Sequence, residues 1–249
     1  MKSVVGIMVY TQHFCAKCGS DQIRRNGHSQ GHARYQCKAC RHQARFVPAA
    51  VAKAVQYAQV DELLGERNSQ RSIVRLTGVS RMSIAQRIKK ALANSPPLPR
   101  LRPKKDQKKD WEVLELDEMW TFVGHKKRKV WLWLAVERAS RRIAAWTLGS
   151  RGQASARRLW QQLPWRYRRH CWYFTDEWKA YAAVLPRYQH RPCPKGEGQT
   201  NIVEAINCSL RHRSGVLVRK SCSFSKCLQM HTARIKIVID NHNRNIILN

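Results

Sequence analysis

Acidic residues are scarce in this chain: 16 Asp and Glu stand against 47 Lys and Arg in 249 residues, a formal net charge of +31. A surplus that large exceeds what solubility requires and implies an extended anionic partner, nucleic acid before membrane. Long apolar runs are also missing. No run of about 18 apolar residues occurs, which argues against a membrane span. The opening "MKSVVGIMVYTQHFCAKC" has one Lys and a short apolar run, but cysteines follow at once with no clear cleavage site, so it reads as mature protein. Five of the nine cysteines (Cys171, Cys193, Cys208, Cys222 and Cys227) are scattered. That suits a reducing cytosol better than a secreted disulfide framework.

The other four cysteines have metal-ligand spacing. Cys15 and Cys18 form one C-x2-C pair and Cys37 and Cys40 another, eighteen residues apart. Two tight knuckles offering two thiolates each close a tetrahedral zinc site. A module this short, residues 1–47, draws much of its folding free energy from the metal. His13, His28, His32 and His42 lie nearby, but four thiolates leave no ligand position for them. Arg24, Arg25, Arg34 and Tyr35, between the pairs, fit phosphate contact or stacking and fit an ordinary solvated hairpin equally well.

Residues 48–93 have the pattern of a helix-turn-helix. Asn68 or Ser69 can cap a helix containing Ile73, Val74 and Leu76. Gly78 permits a sharp turn, Val79 packs between the helices, and Ser80 caps a second helix with Met82, Ile84, Ala85, Ile88 and Leu92 for its inner side. Arg81, Ser83, Gln86, Arg87, Lys89 and Lys90 are left for the outer side, where a recognition helix meets base edges and phosphates. The bland alternative is a basic helical connector. Upstream, "AAVAKAVQYAQVDELLGER" reads as a supporting helix. Residues 94–110, "NSPPLPRLRPKKDQKKD", carry four prolines and repeated charge and read as a linker.

Residues 111–249 alternate strand and helix signals. Val113, Leu114 and Leu116 make a short strand ending at Asp117 and Glu118. Residues 129–136 and 142–148 follow as strands, "QASARRLWQQL" as a helix, and "CWYFT" as a buried strand ending at Asp176. "TNIVEAINCSLRHR" and "FSKCLQMHTARIKIVIDNH" read as helices. The whole describes a mixed sheet flanked by helices, with active groups expected beyond strand ends. No acid occurs between Glu137 and Asp176, so acids at strand ends demand an explanation. Clustered carboxylates repel, and divalent cations reverse that penalty. Two Mg²⁺ ions roughly 3.5–4 Å apart suit a phosphodiester reaction. Glu118 competes with Asp117 for this role and Glu177 with Asp176, while a polar helix position explains Glu204 equally well. His125, His190, His212 and His231 are candidate phosphate contacts.

The motifs "CAKC", "RRNGH", "GHARYQCKAC" and "TGVSRMSI", followed by "LDEMWTFVGHKKRKVWLW", "FTDEWKAY", "TNIVEAINCSLRHR" and "RKSCSFSK", occur in one order along the chain. In that order they resemble transposases of the small bacterial insertion sequences typified by insertion sequence one. The resemblance implies a ribonuclease-H-like core (α/β class) whose acidic triad is Asp117, Asp176 and Glu204, served by Mg²⁺ or Mn²⁺. It implies a Zn²⁺-binding N-terminal module, and DNA contact from Arg211 and His212. Its partners would be terminal inverted repeats, target DNA and further copies of the chain, in a bacterial cytoplasm at the nucleoid. The expected chemistry is strand cleavage releasing a 3′-hydroxyl, which then attacks target DNA. A zinc-containing DNA-binding regulator and a metal-dependent nuclease are the alternatives. The interval from Asp176 to Glu204 is slightly longer than usual in that family, and "YQHRPCPKGEGQ" can absorb the difference as a loop.

Overall fold

The computed structural model describes residues 12–46, 49–93, 111–194, 196–220 and 222–248. The chain divides into two compact units, 1–58 and 59–249. The linker 94–110 and the N-terminal run 1–11 lie outside the described residues.

The first unit holds a three-stranded antiparallel sheet of β1 (Ile23–Ser29), β2 (His32–Cys37) and β3 (Gln43–Ala44). Each C-x2-C knuckle closes by the same backbone bond: the Gly19 N–H donates to the Cys15 carbonyl at 2.8 Å and the Arg41 N–H to that of Cys37 at 3.0 Å. Both closing residues have positive φ, +74° at Gly19 and +60° at Arg41. Phe46 stacks between His13 and Tyr35, with ring centroids 4.0 and 3.6 Å away.

Helix α1 (Ala49–Leu64) spans the division between the units, and its end buries Val60 and Leu64 in the second. Helices α2 (Gln70–Thr77) and α3 (Arg81–Ala93) follow. Ser69, not Asn68, caps α2, its Oγ accepting the Ser72 N–H at 3.1 Å. Gly78 ends the helix at φ +70°, a left-handed conformation that costs a residue with a Cβ. The Ser80 Oγ accepts the Ser83 N–H at 3.2 Å and so caps α3. Ile73, Val79, Ile84 and Ile88 are buried between the helices and their neighbours. Two apolar positions differ from the sequence reading: Met82 is 74% exposed and Leu76 58%. Met82 shares a helix face with Gln86 and Lys89, at i+4 and i+7, so helical geometry turns it outward.

Next come β4 (Glu112–Val123), β5 (His125–Glu137) and β6 (Ile143–Gly149), then α4 (Gln153–Gln162), α5 (Trp165–Arg169) and β7 (Cys171–Thr175). After them α6 (Lys179–Ala182), β8 (His190–Pro192), α7 (Asn201–Arg213), a 3-10 turn at Gly215–Leu217 and α8 (Leu228–Leu248) complete the order. The sheet runs β6-β5-β4-β7-β8; β5 is antiparallel to both its neighbours β6 and β4, and β7 and β8 run parallel to β4.

Alternation along the central strands builds two cores. Leu114, Leu116, Trp133 and Ala135 face α4 to α6, meeting Ala156, Leu159, Tyr167 and Tyr181. Met119, Leu132, Leu134 and Val136 face α7 and α8, meeting Val203, Ile206, Leu210, Ile235 and Val238. Burial of Val203, Ile206 and Leu210 contributes about 2 kcal/mol each to holding α7 on the sheet. Helix α8 also packs against α3, and Arg234 on α8 donates to the Asn68 carbonyl at 3.2 Å.

Three sequence expectations are corrected here. β4 does not end at Asp117 but continues to Val123, because its apolar second half pairs with β5 as far as Phe122↔Lys129 and Val123↔His125. The segment read as a plain loop, 188–199, contains the edge strand β8. His231 cannot touch phosphate, since it is fully buried on α8.

Burial pushes the His231 imidazole down to about 4, against about 6.5 when solvated. The folded state therefore refuses a proton that the unfolded chain accepts. This contribution is complete above pH 6.5 and is lost as pH falls from 6.5 toward 4, by about 3 kcal/mol at most. Urea unfolding across that range should show a slope that His231→Leu flattens by a comparable amount. Identical slopes in the two proteins would remove this cause.

Candidate active-site cleft

The cleft arises where β4 loses its neighbour. β4 and β7 pair in parallel from Glu112↔Cys171 to Glu115↔Phe174, and β7 stops at Thr175. Continued by two residues, that register sets Asp117 beside Asp176. Beyond this point β4 keeps β5 on one edge and opens on the other. Helix α7 then crosses the same face, presenting Glu204 in its first turn and Asn207, Cys208 and Arg211 at i+3, i+4 and i+7.

Asp117, Asp176 and Glu204 line one cleft of about 340 Å³ together with Arg151, Thr200, Asn207, Arg211 and Arg219. Asp117 is half-buried, and Asn207 Nδ2 donates to its Oδ2 at 2.6 Å. Asp176 Oδ1 accepts the Trp178 N–H at 3.1 Å. Glu204 is exposed, and Thr200 Oγ1 donates to its Oε1 at 3.0 Å. The strand pleat separates Asp117 from Glu118. Glu118 also lines the cleft, but its carboxylate is taken up there: Arg151 Nε donates to Oε1 at 2.8 Å and Tyr181 OH to Oε2 at 2.9 Å. Arg151 lies over the Trp178 and Trp131 rings, 4.2 and 4.7 Å from their centroids. Glu177 is exposed and does not line the cleft.

Charge crowding marks the site. Burial pushes the Asp117 carboxyl up to about 7, with Glu118, Asp176 and Glu204 adding to the rise and the Glu118 N–H opposing it. Burial also raises Glu118, against its bonds to Arg151 and Tyr181. Among the described residues, the four N-terminal cysteines are the group of three or more potential ligands whose donor atoms all lie within 4.8 Å of one another. The three acids share a cleft, and their carboxylate oxygens do not all lie within 4.8 Å of one another.

Of the other expected site residues, Arg211 lines this cleft. It also lines an adjoining basic pocket, where His212 joins Arg67, Arg219 and Lys220. On α3, Arg81, Gln86, Lys89 and Lys90 are exposed. Ser83 is half-buried with its Oγ 3.0 Å from that of Ser80, and Arg87 forms an ion pair with Asp61. His190 is half-buried with Nε2 2.8 Å from Thr175 Oγ1, and His125 is exposed at the start of β5. The sequence reading missed Asn207, Arg151 and Arg219. Only Asn207 had a local signal, its i+3 spacing from Glu204.

In the first unit, Cys15 and Cys40 sulfurs are 3.5 Å apart and those of Cys18 and Cys37 3.6 Å. Tetrahedral zinc with bonds of about 2.3 Å requires sulfur edges of about 3.8 Å. The Cys40 N–H draws the Cys37 thiol down to about 6, and that of Cys18 lowers Cys15. The Ser20 N–H acts the same way on Cys18, but the neighbouring thiols, Cys40 first, together with burial raise it to about 12. Four sulfurs cannot all ionise without a cation among them. The cluster can therefore hold a metal ion such as zinc.

Residues 112–245, which contain the whole cleft, match the family of IS1 transposases. The chain belongs to the IS1 transposase family. Among curated proteins it is 33% identical to the insertion element iso-IS1n protein InsB of Shigella dysenteriae over 131 residues, 52% of this chain and 95% of that protein. It is 35% identical to the IS1 protein InsB of Shigella flexneri over 117 residues, 47% of this chain and 86% of the relative. The IS1 4 protein InsB of Escherichia coli K12 is 34% identical over 117 residues, 47% of this chain and 67% of the relative. An IS1-family transposase acts on DNA, in keeping with the charge of +31. Among the described residues no helix is long and apolar enough to cross a membrane.

Proposed function

We propose that this IS1-family chain binds the terminal inverted repeats of its element and transfers their strands to target DNA, with Asp117, Asp176 and Glu204 as the catalytic acids. The observation that carries this reading is the meeting of the three acids in one basic-walled cleft. The strand order, with three antiparallel strands extended by two parallel ones and the acids at the β4–β7 edge, supports a ribonuclease-H-like assignment for the core.

The donor set fits a hard divalent cation: three carboxylates, one of them raised to about 7 by burial first and by the neighbouring carboxylates after it. Asp117, Asp176 and Glu204 would hold Mg²⁺ or Mn²⁺, which supplies charge stabilisation at the reacting phosphodiester when bound. Asn207 fixes the Asp117 carboxylate through its 2.6 Å bond. Arg211 and Arg219 hold the phosphates beside the reacting one, with Arg219 steadied 4.5 Å over the Trp120 ring. Glu118, bonded to Arg151 and Tyr181, keeps its side of the cleft rigid. Strand transfer exchanges one phosphodiester for another: the 3′-hydroxyl oxygen attacks phosphorus, the target's own 3′-oxygen leaves, and no bond to the protein forms.

Helices α2 and α3 serve as a helix-turn-helix that reads the terminal repeats. Arg81, Gln86, Lys89 and Lys90 make the primary contacts, Ser83 supports the turn, and Arg87 contributes once it exchanges Asp61 for phosphate. His212 extends the phosphate track from Arg211. The cysteine module binds Zn²⁺ and adds to end recognition. Two ends must be joined to one target, so the active form is a homo-oligomer, and its DNA substrate places it at the bacterial nucleoid in the cytoplasm.

Purified protein with paired terminal-repeat DNA, target DNA and Mg²⁺ tests this directly. Joined products are expected. Cleavage without joining would make the protein a nuclease, and binding alone would make it a regulator.

A further inference from the structure

We propose that Glu115 is a positioning residue for the whole acidic triad, holding the Glu204 helix against the two aspartate strands; this rests on the catalytic reading of those acids. Glu115 lies on β4 two residues before Asp117, on the same face, and is 1% exposed. Its two oxygens are divided between two tasks. Oε2 accepts the N–H groups of Ile202 at 2.9 Å and Val203 at 3.0 Å, in the first turn of α7. Oε1 accepts Arg138 Nε at 2.6 Å.

Helix α7 needs such a partner. Its N-cap, Thr200, gives no side-chain hydrogen bond to the helix end and instead donates to Glu204. The free N–H groups of the first turn are satisfied from a strand 87 and 88 residues away in sequence. A carboxylate suits that position, since the positive end of the helix favours negative charge. Arg138 completes the clamp. It donates to the Gln199 carbonyl at 2.6 Å, just before α7, and lies 4.5 Å from the Phe174 ring centroid. Phe174 is the residue that pairs with Glu115 across β4 and β7.

The consequence is geometric. Asp117 lies two residues beyond Glu115, Asp176 two beyond Phe174, and Glu204 one beyond Val203. One buried carboxylate and its arginine therefore tie the three segments within two residues of each acid. Burying an ion costs free energy unless it is fully bonded, so a side chain in this position that only filled space would more cheaply be apolar.

The test uses full-length Glu115→Gln, with Arg138→Gln as a second variant that attacks the clamp from its half-exposed side. Glu115→Gln keeps size and one carbonyl acceptor but turns an amide N–H toward donors. Expected results are a fall in kcat for strand joining of about 10- to 100-fold with KM for DNA little changed, and Mn²⁺ affinity by calorimetry weakened about tenfold, the range for partners that orient metal ligands. Hydrogen exchange should quicken at Ile202 and Val203 while α8 stays protected. Wild-type Mn²⁺ affinity and unchanged exchange at those amides, in either folded variant, would overturn the proposal. A merely structural role would lower the unfolding midpoint without moving Mn²⁺ affinity well below it. Glu204→Ala separates the two levels: if it still joins strands the catalytic reading itself fails, whereas an inactive Glu204→Ala beside a fully normal Glu115→Gln rejects the positioning role alone.

Discussion

Alanine at Asp117, Asp176 or Glu204, one at a time, is expected to lower strand joining by about 10³-fold or more, equivalent to about 4 kcal/mol of transition-state stabilisation, while binding of terminal-repeat DNA is retained. The three losses should be similar because each acid contributes to one shared cation site. They should also be far from additive, since the first removal already disables the unit. Stability should move in the opposite direction. Asp117 is pushed to about 7 by burial and by three neighbouring carboxylates, so removing it relieves repulsion in the metal-free protein. Asp117→Ala leaves Asn207 Nδ2 without its acceptor, which offsets part of that gain. A midpoint equal to or above wild type, combined with lost joining, distinguishes a working acid from a structural one. Gel-shift, joining and thermal unfolding assays on the same preparations measure all three. Joining that survives in every variant would defeat the catalytic assignment.

Metal removal from the N-terminal module should have the second large effect. Among the described residues of 12–46 the buried side chains are Cys15 and Cys37, so this part has no apolar core to hold its three strands. Zinc held by four thiolates supplies about 10–16 kcal/mol in comparable small modules, which is most of what such a unit needs to fold. Chelation, or Cys37→Ser, should therefore release one zinc per chain and collapse the amide dispersion of residues 12–46 in NMR spectra. Stacking of Phe46 between His13 and Tyr35 should be lost with it. Zinc content unchanged in a Cys37→Ser and Cys40→Ser double variant would show that another group holds the metal, or that none is held there.

Much of this was legible in the sequence because its signals are local. The knuckle spacing Cys15–Cys18 and Cys37–Cys40 survives as a cluster, Ser69 and Gly78 bracket α2, and the apolar strand before Asp176 ends where its alternation ends. What escaped depends on pairing between distant segments. Nothing near Asp117 says that β5 would carry β4 on to Val123, and nothing near His190 says that three residues would form an edge strand. Met82 was assigned by its chemistry, and helical phase overruled it. Glu118 and Asp117 could not be ranked from polarity alone; both line the cleft, and the difference is that the Glu118 carboxylate is already bonded to Arg151 and Tyr181. Glu115 resembled any polar residue of a half-buried strand, and its task became visible only when the N-terminus of α7 reached it. His231 carried no sign of burial, because a histidine on a helix rich in Ile and Val can face either way.

The most direct measurement is Mn²⁺ binding to the full-length protein assembled with paired terminal-repeat DNA, followed by electron paramagnetic resonance. Two spin-coupled ions per cleft, about 4 Å apart, are expected in the wild type and lost in a variant carrying alanine at Asp117, Asp176 and Glu204. An unchanged Mn²⁺ signal and stoichiometry in that triple variant would contradict the account.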